Sequence, residues 1–82
     1  MDIEKIRQFQ SASPFFPFTL HLADGRNVSV GHPEFMMISP AEDECVIYET
    51  DGRVRFVDPQ LVTEIERNAP RANGAGRKKP KK

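Results

Sequence analysis

The chain has 82 residues, of which 38% are hydrophobic, with a single cysteine and a formal net charge of zero. This length allows one small domain, and one cysteine excludes an internal disulfide. Because the sequence shows neither a signal-peptide pattern nor an apolar run long enough for a membrane span, it predicts a cytoplasmic protein without membrane contact.

The zero net charge conceals two oppositely charged segments. Residues 1–66 contain five basic and all twelve acidic residues, a net charge of −7, whereas residues 67–82 contain seven basic residues and no acid. The second segment also lacks aromatic and branched aliphatic residues, so burial cannot offset its ordering entropy. We therefore predict one folded domain over 1–66 and a disordered basic tail over 67–82.

The basic tail is a candidate binding segment for polyanions such as nucleic acids, through counterion release. The residues concerned are Arg67, Arg71, Arg77, Lys78, Lys79, Lys81 and Lys82. Two other interpretations stay open: the tail only aids solubility, or it folds back onto the acidic domain.

Residues 2–11 are predicted to form a short helix. Asp2 suits the N-cap, and Ile3, Ile6 and Phe9 recur at helical spacing, which gives one apolar stripe. The segment 14–18, "PFFPF", follows as a stiff connector that either covers the core or forms an exposed docking patch.

Two hairpins follow, each with an Asp-Gly-Arg turn. In a two-residue loop Leu20 would face Ser29, so apolar residues would lie opposite polar ones. A three-residue loop closed by a glycine bulge shifts the pairing by one residue, so that apolar residues lie opposite apolar ones. Each hairpin then has one apolar face. Gly25 and Gly52 are predicted to adopt positive φ.

The predicted register of the hairpins pairs apolar residues in both. The expected pairs are Phe18 with Val30, Leu20 with Val28, Leu22 with Arg26, Val46 with Phe56, Tyr48 with Val54, and Glu49 with Arg53. These paired apolar faces are expected to give a half-buried antiparallel sheet.

Two further strands complete the predicted domain. Gly31 and Pro33 either break the second strand or bend it sharply. Taken as one bent strand, it continues to Ser39, and residues 60–66 form the last strand. The expected fold is mainly β with one N-terminal helix, and its five antiparallel strands form a small barrel or a curled sheet.

Four ionisable residues lie within a stretch of fifteen: His21, Asp24, His32 and Glu34. Their spacing matches no compact zinc pattern, and no further histidine exists to complete a site. We therefore expect no metal and no cofactor. Cys45 is expected to be buried and inert, and no serine lies in a nucleophile turn, so we expect no enzymatic activity.

The central part of the sequence resembles a group of short bacterial proteins. These share "PFT-x-x-x-ADGR", "V-x-H-P-E-F", a "DG" hairpin and "LVT-x-I". The matching residues here are Pro17 to Thr19, Ala23 to Arg26, Val30, His32 to Phe35, Asp51, Gly52, Leu61 to Thr63 and Ile65. The resemblance covers residues 3–66 and implies no active site.

The order of elements is similar to the Sm-like fold, which includes Hfq, and implies a small barrel of the SH3 or Sm type. Sm-like proteins form rings by pairing strand edges between subunits. Hfq-like proteins have a Tyr-Lys-His segment before the last strand, where this chain has Asp58, Pro59 and Gln60. The resemblance therefore does not extend to an RNA-binding pore.

The sequence thus favours a non-enzymatic interaction or assembly module that self-associates, with another protein as a further possible partner. A core of this size without a disulfide gains stability from a partner subunit. The residues expected at an interface are Phe15, Phe16, Phe18, His21 and His32. The alternative hypotheses are a nucleic-acid-binding protein and, third, a small enzyme or metal protein that uses His21 and His32.

Overall fold

The computed structural model describes residues 1–68. Within them lie one α-helix, six β-strands and two short 3-10 helices. The helix α1 spans Ile3–Ser11, and the 3-10 helices span Pro33–Phe35 and Pro59–Leu61. The strands are β1 (Phe18–Leu22), β2 (Asn27–Val30), β3 (Met36–Ile38), β4 (Cys45–Tyr48), β5 (Val54–Val57) and β6 (Val62–Arg67).

The strands form two antiparallel sheets of three strands each. The first sheet has the order β2-β1-β6 and the second the order β3-β4-β5. The mainly β class with an N-terminal helix is confirmed. The predicted count of five strands is wrong, and the two sheets of residues 1–68 do not join into a closed barrel.

The difference in strand count arises at the predicted bend. Pro33 begins a 3-10 helix, with the Phe35 amide donating to the His32 carbonyl at 3.1 Å. Proline has no amide hydrogen for a strand ladder, so the strand is interrupted rather than bent. The expected second strand is therefore two strands, β2 and β3, which belong to different sheets.

The last strand also begins later than predicted. Residues Pro59–Leu61 form a 3-10 helix, in which the Asp58 carboxylate accepts from the Gln60 amide at 2.9 Å. The pairing of β1 with β6 shifts register between His21 and Leu22. This irregularity turns both Val62 and Ile65 towards the core.

Both hairpin turns have the predicted geometry. Gly25 and Gly52 adopt φ values of 93° and 95°. The observed strand pairs include Leu20 with Val28 and Val46 with Phe56. The bulged-turn register is therefore confirmed in both hairpins.

Helix α1 closes one side of the core. The Asp2 carboxylate accepts from the Glu4 amide at 3.1 Å, which confirms the predicted cap. Ile6 is fully buried, and Phe9 meets the ring of Phe18 edge-on at 5.6 Å between centroids. The Gln10 side chain donates to two carbonyls around the Pro33 turn, at 3.0 and 2.6 Å.

The core lies between the helix and the inner faces of the two sheets. Its buried residues are Ile6, Phe18, Leu20, Leu22, Val28, Val30, Met36, Cys45, Ile47, Val57 and Val62. No helix within residues 1–68 is long and apolar enough to cross a membrane.

The buried face of the second hairpin is opposite to the predicted one. The predicted apolar pairs formed by Val46, Tyr48, Val54 and Phe56 lie on the side away from the core, and Phe56 is 63% exposed. The alternate residues of these strands face inward instead. This reversal leaves an apolar surface exposed.

Candidate protein-interaction surface

The four ionisable residues of the segment 21–35 do not form a common site. Asp24 accepts from the Arg26 amide and guanidinium within its own turn, at 3.1 and 2.9 Å. His32 meets the Phe35 ring edge-on, with 4.8 Å between ring centroids, and Glu34 is exposed. Among residues 1–68 no group of three or more metal-ligating side chains is close enough to hold an ion.

His21 lies on the outer face of the first sheet, in contact with neighbours on both flanking strands. Its Nδ1 is 2.8 Å from Asn27 Oδ1, and its Nε2 is 2.9 Å from Glu66 Oε1. The hydrogen bond to Glu66 raises the pKa of His21 above its ordinary value of 6.5. These contacts are those of a partly exposed ion pair, and they stabilise the protonated imidazole.

Cys45 is fully buried in the second sheet. Burial raises the pKa of its thiol, which disfavours the reactive thiolate. The inert packing role expected for this cysteine agrees with its position.

The aromatic connector covers the core. Phe18 is fully buried, so it offers no surface to a partner, and Phe15 meets its ring edge-on at 5.9 Å. Phe16 is half-buried, and the Arg67 guanidinium lies 5.2 Å from its ring centroid. The interpretation of this segment as a lid therefore fits the structure better than that of a docking patch.

The predicted basic tail falls mostly outside the described residues. Arg67 is the last residue of β6 and so belongs to the folded domain. A shallow cavity of about 180 Å³ lies beside it, lined by Gln8, Phe9, Ala12, Phe16 and Arg67. The other six predicted polyanion-binding residues lie beyond residue 68.

The outer face of the second sheet carries five apolar side chains. Its members are Met37 on β3, Val46 and Tyr48 on β4, and Val54 and Phe56 on β5. Cross-strand pairing places Val46 between Met37 and Phe56, and Tyr48 opposite Val54, so the five side chains adjoin one another. This group is named the outer apolar face below.

The side chains of this face are well exposed to solvent. The exposed fractions are 67% for Met37, 63% for Phe56, 54% for Tyr48 and 40% for Val54. Isolated exposed apolar residues are common on protein surfaces, whereas contiguous groups mark interaction sites. The contiguity of these residues across three strands is therefore the feature that distinguishes this surface.

The inner face explains why this side remains outside. Cys45, Ile47 and Val57 face the core and are buried. Arg55 shares that side but lies at its edge, where its guanidinium donates to Glu49 at 3.1 Å. Glu49 also accepts from the Ser29 amide of the first sheet at 3.2 Å. Glu49 thus gives Arg55 a partner and joins the two sheets.

Charged residues lie at the two ends of the outer apolar face and not within it. Asp43, Glu44 and Asp58 are exposed at the end where β4 begins and β5 ends. At the opposite end, the Arg53 guanidinium lies 2.9 Å from Asp51 and the Arg55 guanidinium 3.1 Å from Glu49. One end is therefore acidic, whereas charges at the other are balanced.

Sequence reasoning placed Val46, Tyr48, Val54 and Phe56 on the buried face of the second hairpin and made no such assignment for Met37. The inner side of the second hairpin is apolar too, except for Arg55. The signal that was available is the sequence of β4, where Cys45 to Tyr48 contains no charged or strongly polar residue. A strand without polar residues is apolar on both sides and indicates contacts on both.

No protein-family model, no curated protein and no solved structure matches this chain. The assignment of function therefore depends on the geometry of the chain itself.

Proposed function

We propose that this protein is a non-enzymatic interaction or assembly module that binds an apolar, uncharged protein surface through the outer apolar face. The observation that supports the proposal is the contiguous exposure of Met37, Tyr48, Val54 and Phe56 on one side of a sheet. Burial of such side chains against a partner is favourable at roughly 25 cal/mol per Å².

The composition of the face also supports protein binding. Aromatic residues and methionine are enriched at interfaces, and charged residues are depleted at interface centres. Tyr48 and Phe56 supply the aromatic side chains and Met37 an adaptable thioether.

The other chemistry-bearing residues favour a binding role over catalysis. His21 is held by Asn27 and Glu66, and Cys45 is buried. Among residues 1–68, neither has a neighbouring group in the arrangement that nucleophilic catalysis requires.

Site-specific photo-crosslinking in cells tests this proposal. A photoreactive phenylalanine analogue at position 56 should form covalent adducts with protein. The same analogue at position 64, on the polar outer face of the first sheet, is the matched control. Adducts at position 56 that greatly exceed those at position 64 are expected. Equal yields, or none at position 56, would contradict the proposal.

A second candidate function is polyanion binding through the basic tail. The specific observation is the seven basic residues over 67–82 without an acid. Arg67 belongs to β6, which leaves six cations for phosphate contacts. Log affinity for duplex DNA should then fall with log salt with a slope of about −5. Failure of the full chain to bind heparin at low salt would exclude this function.

A further inference from the structure

We infer that the occupant of the outer apolar face is a second copy of this chain, packed sheet on sheet with its strands antiparallel to those of the first. This inference rests on the proposed function and names its partner. It differs from the expected interface, because the contact surface is the second sheet and not the segment around Phe15, Phe16 and Phe18.

The chemistry of the face is complementary to itself. The only polar group among its five side chains is the Tyr48 hydroxyl, so two such faces meet without burying an unpaired charge. Two β-sheets stack naturally with about 10 Å between them. A two-fold dimer places the same residues on both sides of the contact, and it is the commonest symmetric assembly.

The area of the face fits a reversible dimer. The exposed fractions of Met37, Tyr48, Val54 and Phe56 add up to slightly more than two whole side chains. At 150–250 Å² for a large side chain, each copy contributes roughly 400 Å² and the pair roughly 800 Å². With rim residues the total approaches about 1,000 Å², the lower end for specific interfaces. An interface of this size belongs to the weak, transient class, so the dimer should dissociate on dilution.

The charges around the face select the relative orientation of the copies. If equivalent ends met, the exposed carboxylates of Asp43, Glu44 and Asp58 would lie beside their own counterparts and repel them. In the antiparallel arrangement this acidic end lies over the partner's turn, where Arg53 is 68% exposed and the charges are balanced. Electrostatics therefore favour the arrangement in which each strand of one copy runs opposite to the equivalent strand of the other copy.

Sedimentation of the full chain from low micromolar to millimolar concentration tests the dimer. The wild type should show a monomer–dimer equilibrium, and Phe56→Ser should weaken it about tenfold or more, since a few large buried side chains contribute most of the binding energy of an interface. Leu61→Ser is the matched control, because Leu61 is 41% exposed but lies outside the face. It should leave the equilibrium unchanged.

Crosslinking with a short bismaleimide tests the orientation. A mixture of Glu44→Cys and Asp51→Cys chains should give mainly the mixed dimer, because the antiparallel arrangement brings opposite ends together. Cys45 is buried and therefore shielded from the reagent. Dominant crosslinking of Glu44→Cys chains to each other would overturn the orientation but not the dimer.

The outcomes separate this inference from the function on which it rests. A strictly monomeric wild type, or a dimer that Phe56→Ser leaves intact, overturns the second copy as occupant. If position 56 then still crosslinks to a different protein in cells, the interaction module survives with another partner. If position 56 forms no adduct and the chain is monomeric, both are wrong.

Discussion

The two sheets have the same number of strands, but the outer face of one is polar and that of the other is apolar. Outside, the first sheet presents Thr19, His21, Ser29, Glu64 and Glu66, which are polar and linked by hydrogen bonds and cross-strand pairing. The second sheet presents Met37, Val46, Tyr48, Val54 and Phe56. Both sheets contribute an apolar inner face to one core, so the two sheets differ mainly in the side chains of their outer faces.

This contrast indicates where the chain interacts with other molecules. A half-buried sheet alternates apolar and polar residues, and the first sheet follows that rule. The second sheet departs from it, although an exposed apolar face gives no stability to an isolated chain. Such a departure from local consistency is typical of a functional surface.

The largest expected effect is a difference in the free energy of unfolding between substitutions on the two sides of the second sheet. Ile47→Ala removes a fully buried side chain and should cost about 2–5 kcal/mol, enough to unfold much of a small domain. Phe56→Ala, on the outer face, should change the free energy of unfolding of the monomer by less than about 1 kcal/mol. Urea denaturation at low micromolar concentration measures both. Equal costs would show that the outer face is buried in the monomer.

The next effect concerns the contact that joins the sheets. Glu49→Ala removes the acceptor for the Ser29 amide and for Arg55, whose side chain is only 19% exposed. A bond to a charged group contributes about 1.5–3 kcal/mol, and we expect a loss near the lower value because the site is at an edge. Glu44→Ala, at an exposed acid, is the control in the same denaturation assay. A Glu49→Ala midpoint equal to that of Glu44→Ala would mean that the sheets are held by apolar contacts alone.

A smaller effect compares the turns of the two sheets. Gly25→Ala and Gly52→Ala should each cost about 1 kcal/mol, because both positions have positive φ. An added Cβ would meet nothing within 4 Å at either glycine, so the cost comes from the backbone alone. Gly31→Ala, without positive φ and with Thr50 Cγ2 at 3.5 Å, should be close to neutral. A different loss in the free energy of unfolding for the two variants would show that the two turns are not equivalent.

The smallest effect is a pH dependence of the first sheet. The pKa of His21 is raised in the folded chain by Glu66, so protonation stabilises the fold. This contribution is complete below pH 6.5, the value for the unfolded chain, and is lost as the pH rises through the folded-state pKa. The denaturation midpoint of Glu66→Gln should fall below that of the wild type at pH 6 and approach it at pH 9. A gap between the two that does not change with pH would exclude this coupling.

Local sequence signals predicted the turn of each sheet and the N-terminal helix well. Asp24 and Asp51 each accept from the amide two residues later, so the Asp-Gly-Arg turn is specified within three residues. The Asp2 cap and the spacing of Ile6 and Phe9 specify the helix in the same local way. The alternation of apolar and polar residues then determined the register of each hairpin, because a wrong loop length would pair polar residues with apolar ones.

Local signals alone did not decide which face of the second hairpin stays outside. Whether Arg55 faces solvent depends on Glu49, and which face is buried depends on where the first sheet and helix lie. The contact of His21 with Glu66 joins residues 45 positions apart, and no local pattern encodes it. The split of β2 from β3 was signalled by Pro33, but proline also fits a bend, so the sequence left both outcomes open.

The pairing of β6 with β1 has a consequence for the folding kinetics of the chain. The two hairpins close over short loops, whereas the residues of β6 pair with residues of β1 that lie forty or more positions earlier in the chain. Thr63 and His21, for example, are 42 positions apart. Closing a long loop is slow relative to forming a hairpin, because its entropy is lost before its contacts form. The hairpins should therefore form first and β6 dock last. Until it docks, one edge of β1 stays open, and Leu20 lacks Ile65, its neighbour across the strands.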